Sequence, residues 1–188
     1  MAHNDKSQQL NFKIPSTQPI LSGENLVLRP WKPEDATQLA KICRNPEIAR
    51  YTAVPENYTL EMGKEFIADS IAGYPNNAIR YCITDVENEI VGSISLERLS
   101  LLDCRAEIGY LVAEGHRGKG IAVEATRILT SIVHQWGFSR VELLTAVENL
   151  ASQKVAEKSG FTFEGVLRKR NIVKGRIFDM VIFSSIAH

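Results

Sequence analysis

The sequence predicts one mixed α/β domain, and three observations support that prediction. The chain has 188 residues, enough for a single domain with a sizeable core. Hydrophobic residues make up 44% and charged residues 23% of it, as in ordinary globular proteins. Runs with alternating apolar positions, which favour strands, are interspersed with runs of helical period. We expect the domain to span 21–188, preceded by a flexible polar lead-in over 1–20.

Turn and capping residues divide the chain into elements. Strands are expected at 25–31, 79–85, 90–98, 106–113, 140–147, 161–169 and 177–185. Helices are expected at 32–45, 59–72, 121–136 and 150–160. Thr59 and Asn149 are the candidate N-caps, and Gly137 and Gly160 are the candidate stops. The segments 44–59 and 170–176 are interpreted as links without regular structure.

Charge and composition exclude several classes of protein. The 22 basic and 22 acidic residues balance, which argues against broad binding to nucleic acid or to an anionic membrane. No apolar run approaches the length of about 20 residues that a spanning helix needs. The polar lead-in has neither a signal-peptide core nor an Arg-rich transit pattern, so we expect a cytoplasmic protein.

Cysteine, histidine and tryptophan receive structural interpretations. The three cysteines, at 43, 82 and 104, match no metal-binding spacing, and each lies in or beside an apolar segment. They are interpreted as reduced structural thiols. The four histidines are scattered, so no metal site is expected. Trp31 and Trp136 are expected in the core.

The sequence "GHRGKGIA" at 115–122 lies between a predicted strand and a predicted helix. It fails the P-loop pattern, because Ile121 and Ala122 follow Gly120 where that motif needs Lys and Ser or Thr, and it lacks the third glycine of a dinucleotide fingerprint. A helix N-terminus nevertheless offers unpaired N–H groups and partial positive charge. Glycines allow an anion to approach these groups, so the turn is either a pyrophosphate cradle or a solvated basic turn.

Glu107 lies in the strand before this turn, between apolar Ala106 and Ile108. Partial desolvation there would raise the pKa of its carboxyl group toward the range of a general base for an ammonium group. The alternative is a surface glutamate paired with Arg105.

Three separated motifs resemble the GNAT N-acetyltransferases. They are Arg117-x-x-Gly120-x-Ala122 between strand and helix, "ENLASQKVAEKSGFTFEGVLR" at 148–168, and "LVLRPWKPEDATQLAKICRNPEIARY" at 26–51. The last is similar to the start of the RimJ/RimL-like branch, which acetylates ribosomal-protein N-termini. The resemblance covers 24–184 and implies a GNAT fold. That fold is a mixed, mostly antiparallel twisted sheet of six to seven strands with about four helices, splayed around 105–112.

The resemblance also implies site residues. Backbone amides of Arg117, Gly118, Lys119, Gly120, Ile121 and Ala122 would hold the pyrophosphate of acetyl-CoA. Tyr110, Leu111, Val112 and Asn149 would bind its pantetheine arm, and freed backbone groups of the strand would face the thioester oxygen. Ser152 would protonate the leaving sulfur, since the later tyrosine of many family members is missing. Tyr51 would line the acceptor side with Glu107; the alternative for Tyr51 is a plain loop aromatic.

The acceptor stays open at this point. A protein N-terminal α-amine is expected, with a small amine such as an aminoglycoside or polyamine as the alternative. A non-catalytic acyl-CoA sensor is the alternative from another class. The sequence does not specify acetyl against a longer acyl donor, and it is compatible with a monomer or a homodimer.

Overall fold

Eight strands form one sheet in the computed structural model, which describes residues 12–76 and 79–187. The strands are β1 (Leu21–Ser22), β2 (Leu26–Pro30), β3 (Ile79–Asp85), β4 (Ile90–Ser100), β5 (Arg105–Val112), β6 (Arg140–Ala146), β7 (Thr162–Val173) and β8 (Arg176–Ile186). The helices of these residues are α1 (Ala36–Cys43), α2 (Pro46–Tyr51), α3 (Leu60–Gly73), α4 (Ile121–Gln135) and α5 (Leu150–Lys158). Within the same ranges, no helix is long and apolar enough to cross a membrane.

The sheet order is β1-β2-β3-β4-β5-β6-β8-β7. All neighbouring strands run antiparallel except β5 and β6, which are parallel because α4 crosses between them. Their pairing covers only three positions, from Arg105 opposite Arg140 to Glu107 opposite Glu142. Beyond this point β5 stays paired with β4, and β6 stays paired with β8. The sheet therefore opens between β5 and β6, where the sequence predicted a splay.

Helices cover both faces of the sheet. One face packs against α1, α2 and α3 in a core that includes Trp31, Leu39 and Ile67. The other face packs against α4 and α5 in a larger core that includes Leu129 and Trp136. Both tryptophans are buried, as predicted.

Two short elements are missing from the sequence-based prediction. The segment 44–59, expected to be irregular, contains α2, whose cap Asn45 accepts a hydrogen bond from the backbone N–H of Glu47 at 3.0 Å. Six residues are too few to show helical periodicity, although Pro46 after Asn45 is a start signal. The two-residue β1 has no periodicity either, so the sheet has one strand more than the seven expected.

The basic link expected at 170–176 is also shorter than predicted. Strands β7 and β8 extend to Val173 and Arg176 and leave only Lys174 and Gly175 in the turn. Both turn residues have positive φ, 51° and 77°, as a tight hairpin turn requires. The predicted caps are confirmed, because Thr59 and Asn149 accept hydrogen bonds from the backbone at the starts of α3 and α5.

The predicted lead-in falls partly on residues 1–11, which lie outside the described residues. Its described part contacts the domain. Phe12 packs against the larger core, and the backbone N–H of Lys13 donates to the carbonyl of Trp136 at 2.9 Å. The hydroxyl of Tyr74 donates to the carbonyl of Pro15 at 2.7 Å. The packed region thus begins before residue 21.

A buried ion pair fixes the start of α1 against β2. The guanidinium of Arg29 donates to both carboxylate oxygens of Asp35, at 2.7 and 3.0 Å. The same carboxylate accepts a hydrogen bond from the backbone N–H of Lys32 at 2.8 Å. The side chains are only 11% and 6% exposed, so neither charge has water as an alternative partner.

We expect Asp35→Ala to lower the free energy of unfolding by about 3–5 kcal/mol, because it leaves a buried guanidinium without its partner. Urea denaturation of the purified protein measures the change. Glu34→Ala, which removes an exposed carboxylate one position earlier, is the matched control. Equal stability of the two variants would contradict this assignment.

Candidate active site

A cleft of ≈ 1790 Å³ follows the opening between β5 and β6. One end reaches the turn before α4, and the other reaches Glu107 and the tip of the β7–β8 hairpin. The amine of Lys174 at that tip donates to the carbonyl of Ala49 in α2 at 2.6 Å. The hairpin therefore contacts the helical layer on the other side of the cleft.

Backbone groups of β5 face the opening. The N–H of Ala113 donates to Val91 of β4 at 2.8 Å, and neighbouring residues of a strand point their backbone groups to opposite sides. Tyr110 and Val112 therefore direct their N–H and C=O groups toward the side on which β6 has diverged. The carbonyl of Val112 accepts a hydrogen bond from Nε of Arg117 at 3.2 Å. The N–H groups of both residues and the carbonyl of Tyr110 are available to an extended ligand lying in the opening.

The turn before α4 forms an open cradle. Gly118 and Gly120 have φ of 76° and 85°, and a Cβ at either position would meet no atom within 4 Å. Gly120 is the N-cap of α4 and has no side chain, so no side-chain hydrogen bond caps the helix. The first N–H groups of α4, from Ile121 onward, are thus oriented as in helix N-termini that bind phosphate.

The two cations of this turn are placed differently. Arg117 donates from Nε to the carbonyl of Val112 and from Nη2 to Oδ1 of Asn45, both at 3.2 Å. Its guanidinium thus ties the turn to β5 and α2. Lys119 is exposed. Both Lys119 and Ala122 line the cleft.

Glu107 lies at the last position at which β5 pairs with β6, with its side chain 19% exposed. Burial raises the pKa of its carboxyl group above the ordinary value, and the neighbouring carboxylates of Glu97 and Glu142 act in the same direction. The positive charges of Arg98 and Arg170 oppose this shift. The guanidinium of Arg98 lies 3.5 Å from Oε2 of Glu107.

Arg105 is not the ion-pair partner of Glu107, contrary to the alternative interpretation of Glu107 as a surface residue. Arg105 pairs with Asp103 at 3.4 Å and with Glu142 at 3.3 Å. Glu107 instead lines the cleft.

Ser152 contacts a residue whose side chain the sequence did not single out. The hydroxyl of Tyr110 donates to Oγ of Ser152 at 2.9 Å. Burial raises the pKa of Tyr110 to about 12, which keeps the phenol protonated. Since Oγ of Ser152 accepts this hydrogen bond, its own proton is free to be donated elsewhere. The two residues are 42 positions apart, and no sequence pattern links them.

The pair and Glu107 lie on opposite faces of β5. Tyr110 packs against the core beneath α4 and α5, whereas Leu111 packs against the core beneath α1–α3. Glu107 shares the alternation of Leu111 and so faces the α1–α3 side. The opening connects these two faces.

The remaining predicted residues also line the cleft. Oδ1 of Asn149 accepts the backbone N–H of Ser152 at 3.1 Å, so the capping interpretation is correct whatever else this side chain binds. Tyr51 at the end of α2 packs against the small cluster of Ala146, Phe178 and Met180. It therefore lies near the hairpin side of the cleft.

Cys43 and Cys82 are buried, and burial raises the pKa of each thiol to about 12, as expected of structural cysteines. His116 comes near Asp85 and Glu89, with its Nε2 3.9 Å from a Glu89 oxygen. Asp85 already accepts backbone N–H groups of its own turn. The expectation of no metal stays a prediction.

Known proteins show the same architecture and sequence pattern. Residues 25–162 match the acetyltransferase (GNAT) domain family. The putative ribosomal N-acetyltransferase YdaF of Bacillus subtilis (strain 168) is 32% identical over 86% of this chain and 91% of that protein. The ribosomal-protein-serine acetyltransferase of Escherichia coli (strain K12) is 33% identical over 53% of this chain and 56% of that protein.

Among solved structures, the microcin C7 self immunity acetyltransferase MccE, in complex with acetyl-CoA and AMP, superposes with a TM-score of 0.81. It is 25% identical, over 87% of this chain and 93% of that chain. The family model covers well over half of the sequence, and the splayed sheet is the one the three motifs predicted. The protein is therefore a GNAT N-acetyltransferase of the RimJ/RimL-like branch.

Proposed function

We propose that the protein transfers the acetyl group of acetyl-CoA to a protein N-terminal α-amine. The observation that carries the proposal is one continuous cleft that joins the open cradle of Gly118 and Gly120 to Glu107 through the sheet. Its ≈ 1790 Å³ exceeds the roughly 300–1,000 Å³ typical of pockets for one small ligand. The larger volume admits acetyl-CoA together with an acceptor amine, and the similarity to acetyltransferases of ribosomal proteins supports a peptide N-terminus as that acceptor.

The residues present fit acetyl-CoA. The cradle and the α4 N-terminus would hold its pyrophosphate, and Lys119 would add positive charge. The N–H groups of Tyr110 and Val112 and the carbonyl of Tyr110 would pair with its pantetheine arm. Leu111 would contact the same arm, and the amide of Asn149 would donate a hydrogen bond to it. When bound, acetyl-CoA supplies the reactive acetyl thioester.

The proton acceptor and the proton donor of the proposed reaction then lie on different sides of the opening. Glu107 accepts a proton from the acceptor ammonium, directly or through water, on the α1–α3 side. The N–H groups of β5 polarise the acyl oxygen. Ser152 donates its proton to the leaving sulfur on the α4–α5 side, and Tyr110 orients Ser152 through the 2.9 Å hydrogen bond. Tyr51 shapes the acceptor side.

A turnover assay tests the proposal. Thiol release from acetyl-CoA is measured with peptide N-termini, polyamines and aminoglycosides as acceptors. Preferred acetylation of peptides supports the proposal. A preference for polyamines or aminoglycosides would contradict the peptide assignment and make a small amine the acceptor. Tight acetyl-CoA binding without acetylation of any amine would indicate a sensor.

Glu107→Gln should lower kcat/KM by roughly 10²–10⁴-fold at neutral pH, because it removes the proton acceptor and keeps the shape. Acetyl-CoA affinity, measured by calorimetry, should stay unchanged. Equal activity of variant and parent would assign the base to another group.

The same variant should also be more stable than the parent at neutral pH. The pKa of Glu107 is raised in the folded state, so its contribution to stability is complete below its ordinary value of 4.5 and is lost as the pH rises through the folded-state pKa. The amide that replaces the carboxyl group in the variant does not ionise, so the variant does not lose this stability as the pH rises. Thermal unfolding should show the two proteins converging below pH 4.5, whereas a lower stability of Glu107→Gln at neutral pH would mean a structural role.

Gly120→Glu should weaken acetyl-CoA binding by about tenfold or more, because a carboxylate and a side chain enter the cradle beside the phosphates. The φ of 85° adds strain, so circular dichroism must show that the variant is folded. Gly115→Glu places the same charge in the same turn, at a position that does not line the cleft. Equal calorimetric affinity of the two variants would remove the pyrophosphate assignment.

Ser152→Ala should lower kcat by about tenfold to a hundredfold with unchanged acetyl-CoA affinity, because its hydrogen bond to the leaving sulfur strengthens only in the transition state. Tyr110→Phe should cause a smaller loss that disappears in the Ser152→Ala background, because Tyr110 acts through Ser152. Ser131→Ala, at an exposed position of α4, is the control. A fall in affinity with unchanged kcat would make Ser152 a binding residue only.

A further inference from the structure

Two strand irregularities place arginines at the acceptor side of the cleft. In β4 the pairing with β5 shifts between Glu97 and Ser100, and Arg98 in this bulge has a φ of 48°. Left-handed backbone is sterically unfavourable for a non-glycine residue. Bulges re-aim side chains near active sites, and this one directs Arg98 to Glu107 at 3.5 Å.

The second irregularity lies across the cleft. In β7 the pairing with β8 shifts between Leu167 and Asn171, and Lys169 in this bulge has a φ of 51°. The next residue, Arg170, lines the cleft and lies near enough to Glu107 to lower the pKa of its carboxyl group. Among residues 12–76 and 79–187, Arg170 has no ion-pair partner.

These cations flank a pair of carboxylates. Glu97 lies directly opposite Glu107 in the β4–β5 register, and both side chains line the cleft. Two carboxylates suit an ammonium group, and two guanidinium groups beside them suit a carboxylate. The acceptor side therefore has the charge pattern of a binding site for a zwitterion.

We propose that Arg98 and Arg170 bind an acceptor carboxylate and so select amines that have a carboxylate a few atoms away. The inference rests on the proposed function, in which Glu107 accepts a proton from the acceptor amine. Arg98 makes one long contact with Glu107, which leaves most of its five N–H donors available to a second carboxylate. Polyamines place further positive charge against both arginines and are disfavoured.

The carboxylate has two possible sources, an acidic residue near a peptide N-terminus or the α-carboxylate of a free amino acid. One pair of acceptors tests each source by removing only the charge. The first pair is a Ser-Asp hexapeptide amide and its Ser-Asn counterpart. The second is serine and serinamide, and spermidine represents the polyamines.

Both kcat/KM and calorimetric affinity are measured for the parent protein, Arg170→Gln, Arg98→Gln and the control Arg168→Gln. Arg168 is exposed in the same strand and does not line the cleft. The parent and Arg168→Gln should prefer the carboxylate-bearing member of at least one pair by about tenfold or more. Arg170→Gln and Arg98→Gln should lose that preference while they still acetylate or bind the neutral member.

The outcomes separate the two proposals. A preference within the peptide pair assigns an acidic N-terminus, and one within the serine pair assigns a free amino acid. Acetylation without preference in either pair, or a preference that survives Arg170→Gln, overturns the arginine site and leaves the proposed function intact. Tighter binding of the charged member without acetylation supports the arginine site and overturns the proposed function.

Discussion

The short parallel contact between β5 and β6 is the constraint on which the site depends. The strands stop pairing after Glu107 and Glu142, yet each remains in a sheet because β4 holds β5 and β8 holds β6. The opening therefore requires no unfolding of either strand. It leaves the N–H groups of Tyr110 and Val112 and the carbonyl of Tyr110 without a strand partner, which costs free energy unless water or a ligand satisfies them. A ligand that extends along β5 can pair with them.

In the proposed reaction, the opening also separates the proton acceptor from the proton donor. The Tyr110–Ser152 hydrogen bond lies on the side of α4 and α5, and Glu107 lies on the side of α1–α3. In the proposed reaction, an acid and a base on opposite faces of a strand cannot neutralise each other directly. Their environments differ accordingly, since burial keeps the phenol of Tyr110 protonated, whereas the charges of Arg98 and Arg170 limit the rise in the pKa of Glu107.

Some of the irregular backbone of the described residues borders this cleft. Positive φ occurs at Gly118 and Gly120 in the cradle, at Arg98 in β4 and at Lys169 in β7. Glycine adopts such values without a steric penalty, whereas the arginine and the lysine do not. The strain at these two residues is consistent with a requirement on side-chain direction beside Glu107 rather than with folding alone.

The sequence by itself determined the fold family, the order of the long elements, the caps at Thr59 and Asn149 and the position of the glycine turn before α4. These features are local, because periodicity, capping and glycine placement are encoded within a few consecutive residues. Only the tertiary structure decided the partners across the sheet. The Tyr110–Ser152 contact spans 42 positions, and the exchange of Arg105 for Arg98 beside Glu107 depends on a bulge in β4. Strand register and bulges bring such residues together, and a single sequence encodes neither of them in neighbouring residues.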